Sequence, residues 1–111
     1  MEISSTQYKR CDVVKVDGRI DSSSAPQLHE AFNKLLENNR FHIVVNMENV
    51  SFISSAGLRV LISTQKNCKR FNRGELVLTN VPENIMAALD LAGFTPLFKI
   101  FDSEVAAVGN F

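Results

Sequence analysis

Apolar positions along this chain switch repeatedly between two spacings. Ile3 to Tyr8 alternates weakly and predicts an edge strand. Asp12 to Val16, with Val13, Val14 and Val16, predicts a second strand, and Asp17-Gly18 supplies turn chemistry behind it. The period then lengthens. Leu28, Ala31, Phe32, Leu35 and Leu36 fall on one helical stripe, which predicts a helix running to about Asn38-Asn39. Ser24 with Gln27 three residues on resembles a capping box, and Pro26 suits a first helical turn. Phe41 to Met47, centred on Ile43-Val44-Val45, is the continuous apolar run of a buried strand.

The second half repeats the alternation. A helix pattern runs from about Ser55 to Phe71 or Asn72, and Arg73-Gly74 supplies a stop, with Gly74 suited to a left-handed cap. Glu75 to Thr79 is another buried-strand run. Asn80-Val81-Pro82-Glu83 opens a third helix that turns Ile85, Met86, Ala88 and Leu89 inward and ends at Gly93. Leu97 to Phe101 predicts a last strand, and Asp102-Ser103-Glu104 starts a short terminal helix. Strands alternating with helices of this length specify an α/β fold: one domain over residues 1–111, with a mixed, mostly parallel sheet of four to five strands and about four helices. Strand order is not written in the sequence.

Composition narrows the function classes. The 111 residues are enough for a core without disulfides or metal, and a formal net charge of zero argues against a nucleic-acid binder. Cys11 and Cys68 lie far apart with no partner motif, so reduced thiols and a cytoplasmic setting are expected. No basic segment followed by an apolar block opens the chain, so no signal peptide is expected, and no apolar run approaches a membrane span. His29 and His42 stand in no base–nucleophile setting. With no glycine-rich phosphate loop, metal-ligand cluster or paired-carboxylate motif, the chain is expected to be no enzyme and to need no cofactor.

The stretch that remains is Val50-Ser51-Phe52-Ile53-Ser54-Ser55-Ala56-Gly57-Leu58, where a strand hands over to a helix N-terminus. That end of a helix presents unpaired N–H groups and partial positive charge. A serine there either caps the helix with its own oxygen or carries a phosphate that the helix end tolerates. At 100° per residue, Gly57, Val60, Leu61, Thr64, Cys68 and Phe71 cluster toward the core. Ser55, Arg59, Lys66, Lys69, Arg70 and Arg73 lie opposite, with Leu58 and Ile62 on the flank of that stripe. Such a flank is either a partner surface or apolar residues tucked under a loop, and the stripe is either functional or a solvated face.

The same stretch resembles the phosphorylation loop of bacterial anti-sigma factor antagonists, the small STAS-domain family. The similarity continues upstream through Gly18-Arg19-Ile20-Asp21-Ser22-Ser23-Ser24-Ala25-Pro26 and downstream through Leu91-Ala92-Gly93-Phe94 and the last strand. It therefore covers essentially the whole chain.

The resemblance implies a protein switch. The unphosphorylated antagonist binds an anti-sigma factor that is itself an ATP-using serine kinase, and so frees the sigma factor. The kinase phosphorylates a serine of the antagonist, the complex is lost, and a serine phosphatase restores it. Ser55 matches the acceptor, Asp21 matches an acidic residue near it, and Ser24, Ser54, Gly57, Leu58, Arg59 and Ile62 would line the partner surface. This sequence departs from the family at Ser54, where an acidic residue is usual, and at Arg59, where glycine is usual. Arg59 lies one turn beyond Ser55 on the same face, within reach of a phosphate there. A monomer without membrane insertion is the simplest expectation, since the partner surface must be free. The same family also supplies non-enzymatic structural subunits of membrane transporter ATPases, which would need the fold but no phosphate cycle.

Overall fold

A computed structural model describes residues 1–111 and orders them as a five-stranded sheet with helices on both faces. The elements are β1 (Glu2–Gln7), β2 (Asp12–Ile20), α1 (Ala25–Glu37), β3 (His42–Ile53), α2 (Ser55–Lys69), β4 (Glu75–Thr79), α3 (Glu83–Leu91), β5 (Ile100–Phe101) and α4 (Glu104–Gly109). The strand order is sequential, β1-β2-β3-β4-β5. β1 pairs antiparallel with β2, and every other pair is parallel. The expected mixed, mostly parallel architecture is therefore present in full.

Parallel neighbours need crossovers, and right-handed crossovers between consecutive strands put their helices on the same face. α1, α2 and α3 accordingly share one side. Val14, Val16, Ile43, Val45, Met47, Leu76 and Leu78 meet Leu28, Phe32, Leu61, Cys68, Ile85 and Leu89 there, all buried. The alternate residues Val13, Val44 and Val77 point the other way, where Ala107 and Val108 of α4 and Phe111 cover them. Opposite faces of the same strands thus feed two cores, as a period of two requires.

Several local expectations are corrected. Asp17-Gly18 is not a turn: β2 runs through it to Ile20, and Gly18 at φ 107° sits between the register shifts of a bulge. β3 does not stop at Met47 but continues through polar Glu48 and Asn49 to Ile53, because Gly18 to Ile20 supply paired backbone alongside. Ser24 forms no capping box with Gln27. Gly74 does not take the left-handed conformation, which falls on Phe71 (φ 57°) and Asn72 (φ 56°) instead. Gly74 is small for another reason, since a Cβ there would collide with the Phe41 carbonyl. The last strand is only Ile100–Phe101, because Thr95–Leu97 forms a short 3₁₀ turn around Pro96.

The brevity of β5 leaves a backbone problem at the edge of β4. β5 pairs with Leu78 and Thr79 and leaves Leu76 without a strand partner on that side. Gln65 of α2 fills the gap. Its Oε1 accepts from the Leu76 N–H at 2.7 Å, and its Nε2 donates to the carbonyls of Leu76 and Leu97, both at 2.9 Å. A buried amide with four possible hydrogen bonds here makes three and closes the sheet edge without a strand. At the other end of the sheet, buried Asp12 accepts from Arg40 Nε at 2.6 Å, and Arg40 also donates to the Tyr8 carbonyl.

Candidate functional site at the carboxyl ends of the parallel strands

The carboxyl ends of β2 and β3 lie side by side, with Ile20 opposite Ile53. Beyond Ile53 the backbone stays extended for one residue (Ser54 φ −88°, ψ 171°) before α2 begins. The Ser54 N–H donates to the Ile20 carbonyl at 2.8 Å, which ties the entry of the helix to the end of β2. The Ser54 hydroxyl accepts from the Gly57 N–H at 3.2 Å, so Ser54 is the helix cap. Ser55 is the first helical residue. Its side chain is exposed, and its hydroxyl has no protein partner. The two roles open to the paired serines are thereby divided between them.

Gly57 sets how closely the helix start approaches the strands. A Cβ at this position would stand 2.6 Å from Cγ2 of Ile20 and 2.8 Å from Cγ1 of Ile53, both buried. Only a residue without a side chain lets α2 begin directly over the strand ends.

Asp21 and Ser24 form a closed turn beside this junction. Asp21 Oδ1 accepts from the Ser23 hydroxyl at 2.7 Å, the Ser24 N–H at 3.0 Å and the Ser23 N–H at 3.1 Å. The Ser24 hydroxyl accepts from the Asp21 N–H at 2.9 Å. The Ser23 hydroxyl first, then the Ser24 backbone and side chain, hold the Asp21 carboxyl down to about 2, so it stays ionised through the neutral range. Asp21 and Ser55 share the same end of the sheet, yet no hydrogen bond joins them.

The remaining predicted residues separate by depth. Leu58, expected on the flank of the exposed stripe, is only 7% exposed and belongs to the main core. α2 is the middle helix, flanked by α1 on one side and by the Thr95–Leu97 turn through Gln65 on the other, so its buried arc is wider than a single face. Ile62 is half-buried against that core. Arg59 is exposed, one turn beyond Ser55, and makes no ion pair. Phe71, expected in the core, is 81% exposed, because the helix ends at Lys69 and the helical wheel no longer applies.

Two contacts at this end had no signal in the periodicity. The Arg19 guanidinium lies 4.4 Å from the ring centroid of half-exposed Phe52, on the strand leading into Ser54. Asn84 at the start of α3 donates to the Ser51 carbonyl at 3.0 Å and anchors that strand end. An apolar residue in a polar stretch of strand, at Phe52, was the only sequence mark.

Comparison with known proteins places this arrangement. The STAS domain model matches residues 2–107. The chain belongs to the STAS domain family. Among curated STAS relatives, the anti-sigma-B factor antagonist of Staphylococcus aureus is 29% identical over 100 residues, covering 90% of this chain and 92% of its own. Among solved STAS structures, an anti-sigma factor antagonist from Mycobacterium paratuberculosis superposes with a TM-score of 0.87, at 21% identity, over 98% of this chain and 92% of its own. The Bacillus cell fate determinant SpoIIAA in its phosphorylated form gives 0.77 at 17% identity, over 98% of each chain. At these identities the two structures establish the shared fold. No helix of this STAS domain is long and apolar enough to cross a membrane.

Proposed function

We propose that this STAS domain is an anti-sigma factor antagonist whose unphosphorylated form binds an anti-sigma factor serine kinase and releases the sigma factor. Phosphorylation of Ser55 ends the binding, and a serine phosphatase reverses it. The observation that carries this reading is the division of labour between the paired serines: Ser54 caps α2, which leaves the Ser55 hydroxyl exposed and unpartnered at the helix start. The names of the curated relatives point the same way.

The chemistry asked of the chain is small. The Ser55 oxygen attacks the γ-phosphorus of ATP held by the kinase, the bond to ADP breaks, and the hydroxyl proton passes to a base of the kinase. The added group carries roughly −1.5 to −2 charges. At the start of α2 it meets free N–H groups and is tolerated or helped by about 0.3–1 kcal/mol, so the domain stays folded. Arg59, exposed and without an ion pair, takes the phosphate from the next turn. A partner surface shaped for a neutral hydroxyl instead has to desolvate a dianion at a cost of several kcal/mol, and each 1.4 kcal/mol is about tenfold in affinity. Leu58, being buried, supports this surface from below. Asp21, Ser24, Gly57 and Ile62 shape its edge.

A pull-down from native lysate with wild type, Ser55→Ala and Ser55→Asp as baits tests the proposal. Recovery of an ATP-binding anti-sigma kinase by wild type and Ser55→Ala, but not by Ser55→Asp, is the expected result. Equal recovery of a transporter ATPase by all three baits would make this a structural transporter subunit and overturn it.

A further inference from the structure

A formal net charge of zero conceals a strong separation of charge. At the amino ends of the parallel strands, opposite Ser55, stand Lys9 and Arg10 of the β1–β2 connection and Arg40 before β3. The end of α2 and the turn behind it add Lys66, Lys69, Arg70 and Arg73, and Lys99 precedes β5. The carboxylates at this end are fewer, and they include Asp90 at the close of α3, which accepts from the Thr95 hydroxyl. Asp12 is bound by Arg40, Glu75 is held by Lys99 at 3.5 Å and Lys69 at 4.0 Å, and Glu37 is exposed. The end bearing Ser55 shows the reverse balance, with Asp17, Asp21, Glu48 and Glu83 against Arg19 and Arg59.

At the crest of the basic end the backbone does something costly. Phe71 (φ 57°, ψ 27°) and Asn72 (φ 56°) are successive left-handed residues, a conformation that disfavours any side chain and an aromatic one in particular. The result is a phenyl ring 81% exposed to solvent. Arg70 flanks it with its guanidinium carbon 5.2 Å from the centroid, while Arg73, at 5.9 Å, is turned over Phe41 at 4.0 Å and donates to the Asn67 and Arg70 carbonyls. Beside it, Leu97 (43% exposed), Pro96 and half-buried Ile62 floor an open cleft of about 420 Å³ whose rim is Lys66, Lys69 and Arg70. An apolar crest is therefore ringed by cations, and most of them have no carboxylate partner.

We propose that this basic end docks onto an anionic lipid bilayer. Phe71 enters the boundary between headgroups and acyl chains, and Lys66, Lys69 and Arg70 lie against the lipid phosphates. Peripheral attachment needs two modest signals together, an apolar insert and a cationic patch, and this surface holds both. The aliphatic floor of Ile62, Pro96 and Leu97 beside Phe71 suits acyl chains, whereas a nucleic-acid strand is held on a series of stacked aromatic side chains. Docked this way, the domain would keep Ser55 pointed away from the membrane and open to protein partners. The inference does not depend on the phosphorylation reading.

Co-sedimentation with vesicles tests it directly. Vesicles of phosphatidylcholine alone are compared with vesicles carrying about 30% phosphatidylserine, at about 0.1 M and about 0.5 M salt. Expected is pelleting only with the anionic vesicles and loss of it at the higher salt. Phe71→Ser, at an exposed position where folding is unaffected by circular dichroism, should lower partitioning about tenfold. Lys66→Glu should lower it at least about fivefold. Lys15→Glu, on the opposite half of the molecule, should leave it near wild type. Absence of pelleting with anionic vesicles at low salt overturns the proposal, as does equal pelleting with both vesicle types. Phe71→Ser pelleting with anionic vesicles like wild type overturns it too, because the surface would then be a general polyanion patch.

Discussion

Replacing Gly57 by alanine isolates what holds the start of α2 over the strand ends. Taken alone, a helical Gly→Ala change stabilises by about 1 kcal/mol through propensity. Here the new methyl would stand 2.6 Å from Ile20 Cγ2 and 2.8 Å from Ile53 Cγ1. Both distances are roughly 1 Å inside the 3.5–4.0 Å optimum for carbon pairs. Ile20 is 0% exposed and Ile53 6%, the two sit opposite each other on paired strands, and neither contact atom is the free tip of a flexible chain. Relief therefore requires α2 to lift, and overpacking of this kind costs about 3 kcal/mol at the upper end of its range. The net expectation is a loss of about 2 kcal/mol, or a fall in Tm of about 8 °C for a domain of this size. Thermal and urea denaturation followed by circular dichroism measure it. In an Ile20→Ala background one of the two collisions disappears, so the cost of Gly57→Ala should shrink by about 1 kcal/mol or more in a double-mutant cycle. A Tm unchanged or raised by Gly57→Ala, or a cycle with no coupling, refutes the close-approach argument.

Other perturbations separate the remaining roles. Ser54→Ala removes the cap and should cost about 1 kcal/mol in urea denaturation while leaving Ser55 a substrate in a kinase assay. Arg59→Ala should shorten the lifetime of the phosphoprotein toward phosphatase, with unmodified stability changed by less than about 0.5 kcal/mol; an unaltered lifetime removes Arg59 from the site. Gln65→Leu leaves the Leu76 N–H and carbonyl and the Leu97 carbonyl without partners, and should destabilise by about 2–4 kcal/mol despite the similar volume. Burial pushes the Cys68 thiol up to about 12 from an ordinary 9.0. Between those values the unfolded chain loses the proton and the folded one keeps it, so the contribution of Cys68 should be constant below about pH 9 and stability should fall from there toward pH 12. Cys68→Ala should flatten that decline.

The parts of the fold that were legible are those in which one period persists. α1 follows from the stripe Leu28 to Leu36, and the centre of β3 follows from Ile43-Val44-Val45, because burial decides those positions. The end of β3 was not legible, since Glu48, Asn49 and Ser51 are exposed and β2 is the only strand that pairs with it there. Gly18 carried a turn signal because left-handed φ serves a turn and a bulge equally. At the candidate site, the serine pair and Gly57 were visible as a motif. Which serine caps depended on where the helix starts, a matter of one residue that periodicity does not resolve. Leu58 and Phe71 went opposite ways because a helical wheel knows neither how many neighbours a helix has nor where it stops.

The Gln65 clamp has a consequence for how this molecule meets other chains during synthesis and at high concentration. A sheet edge with unpaired backbone groups is a template for strand addition, which leads to domain swapping or fibrils. On the β4 side the amide of Gln65 already occupies the hydrogen-bonding groups of Leu76, and β5 covers Leu78 and Thr79. The one long edge strand left is β1, since β5 has only two residues, and the exposed run Ser4-Ser5-Thr6-Gln7 of β1 is polar and gives a recruited strand little apolar surface to bury.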